Sequence, residues 1–189
     1  MNKFTEHYIE NQELVLQINK TLDHLSKLDE EGKLSYYPLG FFGIFIKFQN
    51  CIYAQFEQYC LGEKSSQEFL PKRKHIFNDE IELRKFLGAK NKDYIDYNDR
   101  ISSLSQYIFE SNPFDNLSYL SPLSYQQLID VRNYIAHESG STKSKLMKMT
   151  HNISLEEYLA KKKQGKTNFE RIITCLKQFS DYIIDGIEN

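Results

Sequence analysis

The chain has 189 residues, of which 40% are apolar and 26% are charged, which suits one globular domain rather than several. Tyr and Phe make up its 14% aromatic content, enough for a sizeable core and too much for a disordered tail. Its 26 acidic and 24 basic residues give a net charge of -2, which excludes a chain that is basic throughout but allows a local basic surface.

Apolar residues spaced three and four apart predict two long helices in the first third of the chain. The first is expected to end at Gly32, and the second to run from Pro38 to Gly62 as the central helix. The stripe of the first helix comprises Tyr8, Val15, Ile18, Leu22 and Leu25. The stripe of the second comprises Phe45, Phe48, Ile52, Phe56 and Tyr59.

The middle of the chain predicts a connection followed by two short helices. Residues 63–75 end in a basic run, which indicates an exposed loop, with a nucleic-acid patch as the alternative. Asn78 or Asp79 can cap a short helix that ends near Gly88. The next helix is marked by Ile101, Leu104 and Ile108.

Capping signals divide the last third of the chain into helices. Ser121 can cap a helix whose first position is Pro122, and Gly140 lies where a left-handed C-terminal cap would follow, which predicts a helix over 122–139. Two capping boxes then open a short helix and a long last helix: Ser154-x-x-Glu157 and Thr167-x-x-Glu170. The stripe of the last helix comprises Ile172, Leu176, Phe179, Ile183 and Ile187.

Neither a βαβ alternation nor a hairpin signal accompanies these helices. We therefore expect an all-α, mostly antiparallel bundle of about six helices that forms a single domain over 1–189. The common enzyme signatures are also missing, including the phosphate-binding glycine loop and the paired-histidine zinc motif. The sequence predicts no metal and no cofactor.

One motif lies within the predicted helix 122–139. It is Arg132-Asn133-x-x-x-His137, with small and apolar residues between its ends. Chance gives about 0.03 such motifs in a chain with this number of Arg, Asn and His residues. The segment resembles the HEPN family, whose signature is an Arg, usually followed by a polar residue, with a His a few positions later.

Helix geometry places the three side chains differently. Asn133 and His137 are one turn apart and can share a face, whereas Arg132 and His137 diverge by about 140°. A second copy across a two-fold axis could bring each Arg close to the other chain's His. The resemblance implies such a homodimer, with a HEPN-like bundle and a composite site.

These groups can support RNA cleavage without a metal. His137 can act as acid or base, Arg132 can stabilise charge on the phosphate, and Asn133 can orient His137 or the phosphate. Attack by the ribose 2′-OH would leave a 2′,3′-cyclic phosphate and a 5′-hydroxyl, the products that the resemblance also implies. The resemblance further implies a toxin or defence role with an antitoxin protein as partner. In one toxin subgroup a modified Tyr lies two residues after the His, where this chain has Ser139.

Two alternatives stay open at this point. Arg132 and His137 could form surface ion pairs with Asp130 and Glu138, without any role in catalysis. The chain could also be a non-catalytic helical RNA-binding or protein-interaction module that uses the same dimer surface.

The segment 141–171 carries eight basic and three acidic residues, so its net charge is +5. A cationic segment directly after the His helix can follow a phosphate backbone. The alternative is a solvated helix face, since the run 161–163 is expected on a short helix. The candidate RNA-binding residues are Lys143, Lys145, Lys148, Lys161, Lys162 and Lys163.

The cysteines and the N-terminal residues indicate the cellular compartment of the protein. Cys51, Cys60 and Cys175 are an odd number at wide spacing, which predicts buried free thiols in a reducing compartment. The N-terminus lacks a secretory apolar region, and the most apolar stretch is too short for a membrane span. We therefore expect a cytoplasmic protein that does not contact membranes.

Overall fold

The computed structural model describes residues 4–65, 68–90, 100–137 and 139–185. It is mostly helical, with 73% helix, which confirms the all-α prediction. The helices are α1 (Phe4–Ser26), α2 (Glu30–Leu61), α3 (Glu80–Lys90), α4 (Ile101–Ile108), α5 (Tyr125–His137), α6 (Gly140–Met149), α7 (Leu155–Ala160) and α8 (Asn168–Asp185). A 3₁₀ turn covers Asp115–Tyr119, and two short antiparallel strands are β1 (Lys162–Lys163) and β2 (Lys166–Thr167).

Helix α2 is the central helix of the fold, as predicted, and packs against α1, α5, α7 and α8. Its core face is rich in aromatic residues, which make tilted or edge-on ring contacts with side chains of α5 and α8. The residues of this face with at most 1% exposure include Phe41, Ile44, Phe45, Phe48, Ile52, Phe56 and Tyr59. Their burial holds the other helices around α2.

The prediction that the first helix ends at Gly32 is wrong. Helix α1 ends at Ser26, and Gly32 lies in the first turn of α2, where its N–H donates to Asp29 Oδ1 at 2.8 Å. Asp29 is the N-cap that the sequence analysis overlooked, and it starts α2 well before Pro38. The predicted end at Gly62 is confirmed, because Gly62 has a left-handed φ of 86°.

The first-helix stripe is only partly correct. Ile18 and Leu25 are buried, but Leu22 is 41% exposed and Leu14, which the stripe omitted, is fully buried. The side chain of Tyr8 lies outside the described residues. Ile187, which was predicted on the stripe of the last helix, lies outside them as well.

The connection after Gly62 is non-helical, as predicted, but its basic run is not uniformly exposed. Arg73 is half-buried, donates to Cys60 O at 3.0 Å and pairs with Phe109 in an isolated bridge. Lys72 and Lys74 are exposed. Arg73 therefore satisfies a carbonyl near the end of α2, a structural role that partly removes one cation from the basic surface of this loop.

The predicted short helices are confirmed as α3 and α4. Asp79 Oδ1 accepts the N–H of Glu82 at 2.8 Å and caps α3, which continues past Gly88 to Lys90. In α4 the three predicted core residues, Ile101, Leu104 and Ile108, are buried.

The predicted boundaries of the helix over 122–139 are wrong at both ends. Helix α5 starts at Tyr125, because Ser124 and Gln127 form a reciprocal cap: Gln127 Oε1 accepts the Ser124 N–H at 2.9 Å. At the other end, Gly140 is the first residue of α6 rather than a left-handed cap. Ser139 caps α6 by accepting the N–H of Thr142.

Both predicted capping boxes are present, at the start of α7 and at the start of α8. The hairpin between these helices was not expected. Gln164 and Gly165 form its two-residue turn, and both have positive φ, at 54° and 80°. The run 161–163 therefore does not lie on a helix: Lys161 follows the last turn of α7, and Lys162 and Lys163 form β1.

Candidate functional site

Helix α5, which carries the motif, is anchored on α2 at its N-terminal end. The Tyr125 ring lies 6.0 Å from the Phe45 ring and 6.4 Å from the Phe48 ring, and its hydroxyl accepts from Gln49 Nε2 at 3.4 Å. The buried residues of α5 are Tyr125, Leu128, Ile129 and Val131. Their spacing fixes the rotation of α5, so the direction in which each motif residue leaves the helix is also fixed.

Arg132 leaves α5 next to the buried side. It follows Val131, which is fully buried, and its side chain is half-buried with the Nε atom enclosed by the chain. Its stem is therefore packed within the molecule.

His137 is exposed, as the last residue of α5, and Asn133 is half-buried one turn before it. Within the part of the chain that the structure describes, no hydrogen bond joins Asn133 to His137. The His137 side chain is thus exposed where a partner or a substrate could contact it.

A single chain does not bring Arg132 and His137 together. Five residues of α-helix separate their Cα atoms by about 8.7 Å and turn their side chains apart by about 140°. Arg132 points toward the packed side of α5, whereas His137 points into solvent. Within one helix, only the length of the Arg132 side chain could bring the two groups to one phosphate, whereas a second copy could supply them from two chains.

Asp130 and Glu138 are the two carboxylates that could form surface ion pairs with Arg132 and His137. The carboxylate of Asp130 already has a cationic partner, because its Oδ1 accepts from Lys145 Nζ at 3.2 Å. Glu138 lies outside the described residues.

The lysines of α6 lie beside the site helix. Helix α6 folds back along α5, and the contact between Lys145 and Asp130 joins the two helices. Lys143 and Lys148 are exposed and carry no ion pair within the described ranges. The partly exposed pair at Lys145 offers less free positive charge than its two neighbours on α6.

The remaining candidate lysines are held elsewhere. Lys161, Lys162 and Lys163 are exposed on the hairpin, which packs on α8. The pKa of the Glu30 carboxyl in α2 is lowered mainly by its hydrogen bond with Lys33 and, to a smaller extent, by the charge of Lys162. The six lysines therefore form two groups on different elements, rather than one continuous helix face.

Sequence reasoning missed a cavity of about 370 Å³ that no residue of α5 or α6 lines. The polar spacing of α2 could have indicated it, because Asn50, Tyr53 and Glu57 recur at three and four beside the apolar stripe. Glu10, Glu63 and Glu80 are also among its lining residues, together with Arg84. Its chemistry is acidic, unlike that of the motif.

The described residues hold no group of three or more His, Cys, Asp or Glu side chains that could bind a metal ion. In the same ranges, no helix combines the length and apolar character that crossing a bilayer requires. Comparisons of the chain with protein-family models, with curated proteins and with solved structures gave no match.

Proposed function

We propose that this chain is a metal-independent endoribonuclease of the HEPN type, which acts as a homodimer in the cytoplasm and serves as the toxin of a toxin–antitoxin or phage-defence system. The observation that carries the proposal is the position of His137. It is exposed at the end of a helix whose rotation is fixed by the core, with Arg132 five residues earlier.

The reaction needs only the groups of two such chains. The ribose 2′-oxygen attacks the adjacent phosphorus and loses its proton to one His137, which acts as base. The bond from phosphorus to the 5′-oxygen breaks, and the second His137, in its protonated form, donates a proton to that oxygen. The products are a 2′,3′-cyclic phosphate and a 5′-hydroxyl, and each histidine ends with the other's initial protonation state.

The other residues act on the phosphate. Negative charge builds on the non-bridging oxygens during attack, and the two guanidinium groups of Arg132 donate paired hydrogen bonds to them. Asn133, one turn from His137 on the same helix, orients the imidazole or the phosphate. The α6 lysines, Lys143 and Lys148, attract the flanking strand.

A second candidate is a non-catalytic RNA-binding or protein-interaction module with the same dimer surface. The half-burial of Arg132 favours it, because a packed arginine can serve the stability of α5 alone. The conservative variant Arg132→Lys keeps the stem and the charge but loses the planar donor fork, so it should lower the cleavage rate of the nuclease while the fold is kept.

The test is incubation of the purified protein with single-stranded RNA in EDTA, with analysis of the product ends. We expect cyclic-phosphate ends, no cleavage of the 2′-deoxy analogue, and a rate loss of about 10²–10⁴ in His137→Ala. Both Arg132→Ala and Arg132→Lys should lose about 10²–10³ in rate. His151→Asn is the matched control, because His151 is exposed and has a φ of 57°, which Asn tolerates.

Circular dichroism and sedimentation establish that each variant keeps its fold and oligomeric state. RNA that binds but is never cut would favour the second candidate. Cleavage that persists in both His137→Ala and Arg132→Ala would contradict the nuclease proposal outright.

A further inference from the structure

The hairpin between α7 and α8 carries cations that the chain itself does not neutralise. Most ion pairs of the described residues join a cation to a carboxylate one helical turn away, as Lys27 does with Asp23 and Lys177 with Asp181. Across the described ranges, the hairpin lysines Lys161, Lys163 and Lys166 have no such pair, and all are exposed. The charge of this tip is therefore available to another molecule.

The strand register sorts the hairpin residues onto two faces. Lys163 lies directly across from Lys166, and Lys162 lies across from Thr167. Outside this two-pair ladder, Lys161 O accepts the N–H of Asn168, the first residue of α8, at 2.9 Å. Because side chains alternate between faces, Lys161, Lys163 and Lys166 share one face, which we term the cationic face.

Arg171 extends the cationic face. Its Nη1 donates to Asn168 Oδ1 at 3.1 Å, and the Asn168 N–H donates to Lys161 O. Asn168 is buried and Arg171 is half-buried, so three exposed lysines lie along one side of the hairpin and Arg171 adds a partly covered cation at the start of α8. The strand geometry places Lys161 about 6.6 Å from Lys163 along β1, and Lys163 about 5.5 Å from Lys166 across the ladder.

The opposite face is different. Lys162 lies near Glu30, and its partner Thr167 is buried, with its hydroxyl donating to Glu170 Oε2 at 2.9 Å. Two carboxylates thus lie on this side: Glu30, which is itself paired with Lys33 at 2.8 Å, and Glu170. Lys162 has no ion pair of its own among the described residues. Lys162 differs from Lys163 by one position in the chain but lies in an electrostatically different environment.

Two physical arguments indicate an anionic ligand at the cationic face. Like charges directly across a strand pair repel each other, so Lys163 and Lys166 destabilise the empty hairpin and are relieved when an anion lies between them. In addition, no large exposed apolar residue occurs between 139 and 174 in the described chain. A protein interface needs an apolar centre and a membrane anchor needs apolar side chains, whereas a phosphodiester backbone binds through charge alone.

We propose that the cationic face of this hairpin binds the phosphodiester backbone of a nucleic acid at a point separate from α5. The inference rests on the proposed function only for the identity of that nucleic acid, which is then the RNA substrate. The hairpin holds the strand by its phosphates and the motif residues act on the scissile linkage. Lys162, on the other face, takes no part in this contact.

The test is binding of a fluorescein-labelled 2′-O-methyl RNA to the full chain, measured by anisotropy at several salt concentrations. This RNA has no 2′-hydroxyl nucleophile, so binding is measured whether or not the chain is a nuclease. The variants are Lys163→Gln with Lys166→Gln together, and Lys162→Gln as the matched control. The double variant removes a repulsive pair, so we expect no loss of thermal stability.

The salt slope is the steepness with which log K falls against log of the salt concentration, and each phosphate contact on a single strand contributes about 0.7 to it. The double variant should therefore have a slope smaller by about 1.4. If the affinities are equal at about 1 M salt, this is a loss of about 25-fold in affinity at about 0.1 M salt. Lys162→Gln should keep the wild-type slope. DNA of the same sequence should show the same loss, because the phosphates are shared. DNA that does not bind at all would overturn backbone recognition.

An unchanged slope in the double variant would overturn the proposal, and so would an equal loss in Lys162→Gln. Failure of the proposed function gives a different result. In that case the wild-type chain does not cut unmodified RNA, while the double variant still loses its salt slope.

Discussion

The requirement for two chains at one cleft can be tested with a mixed dimer. We consider a heterodimer of one wild-type chain and one His137→Ala chain, obtained by co-expression with two different tags and purification on both. In the proposed reaction one His137 is the base and the other is the acid, so the heterodimer lacks one of the two.

The structure determines the size of the expected effect. Within one chain, Arg132 and His137 leave α5 about 140° apart, and Arg132 is half-buried, so the proposed site takes its groups from two chains. If each chain nevertheless carried an independent site, the heterodimer would keep about half of the wild-type rate, because one of two equivalent sites survives. A shared cleft that has lost its acid or its base should instead fall by about 10²-fold or more.

The assay is single-turnover cleavage of an end-labelled RNA, with the heterodimer compared with the wild-type homodimer at equal dimer concentration. A wild-type heterodimer that carries both tags is the control for purification and subunit exchange. A heterodimer with half of the wild-type activity would refute the shared cleft. A wild-type chain that sediments as an active monomer would refute it as well.

Two further predictions concern the packing of the fold. A Cβ added at Gly40 would lie 2.9 Å from Thr21 Cγ2, so Gly40→Ala should lower the free energy of unfolding by about 1–3 kcal/mol. A Cβ added at Gly88 meets nothing within 4 Å, so Gly88→Ala should raise the free energy of unfolding by up to about 1 kcal/mol. Urea denaturation measures both changes. Equal stability of the two variants would contradict this. Burial raises the pKa of the Cys51 thiol to about 12, so the unfolded chain loses a proton that the native chain keeps. Burial raises the pKa of the Cys60 thiol as well. Each of the two thiols should lower the free energy of unfolding by about 1.4 kcal/mol per pH unit from about pH 9 up to its native pKa, and a flat alkaline profile would contradict the assignment. A thiol reagent at about pH 8 should modify Cys175 well before Cys51.

Local signals in the sequence predicted several helix ends correctly. The capping boxes at Ser154 and Thr167 and the cap at Asp79 were identified because a cap needs only residues three positions apart. The same logic failed where two signals compete. Ser121 with Pro122 resembles a helix start, but Ser124 with Gln127 closes a reciprocal pair of hydrogen bonds and starts α5 three residues later.

The hairpin was missed because its signal is weak and its strands are short. Gln164 is an unusual residue for a left-handed turn position, where Asn or Gly is typical, and a run of lysines has no period-two apolar pattern. The core explains why the hairpin forms anyway. Leu159 and Phe169 are fully buried on either side of it, so the chain must reverse between them within a few residues.

The sequence predicted the relative directions of the candidate site residues only within helix α5. The 3.6-residue repeat gave the angle between Arg132 and His137, and the buried residues of α5 confirm which side of the helix is packed. The half-burial of Arg132 could not be derived in this way, because it depends on the side chains that neighbouring elements place beside α5.

In the proposed nuclease, variants that weaken RNA binding should be distinguishable from variants that slow RNA cleavage. The cationic face and the motif residues lie on different elements, so a change at Lys163 alters how often a strand is held, and a change at His137 alters what happens to a strand already held. Hairpin variants are therefore expected to raise KM while they keep kcat, and His137 variants to lower kcat while they keep affinity for 2′-O-methyl RNA. If instead both sets of variants lowered kcat alone, the hairpin would have to contact the scissile phosphate, and the two surfaces would be parts of a single site.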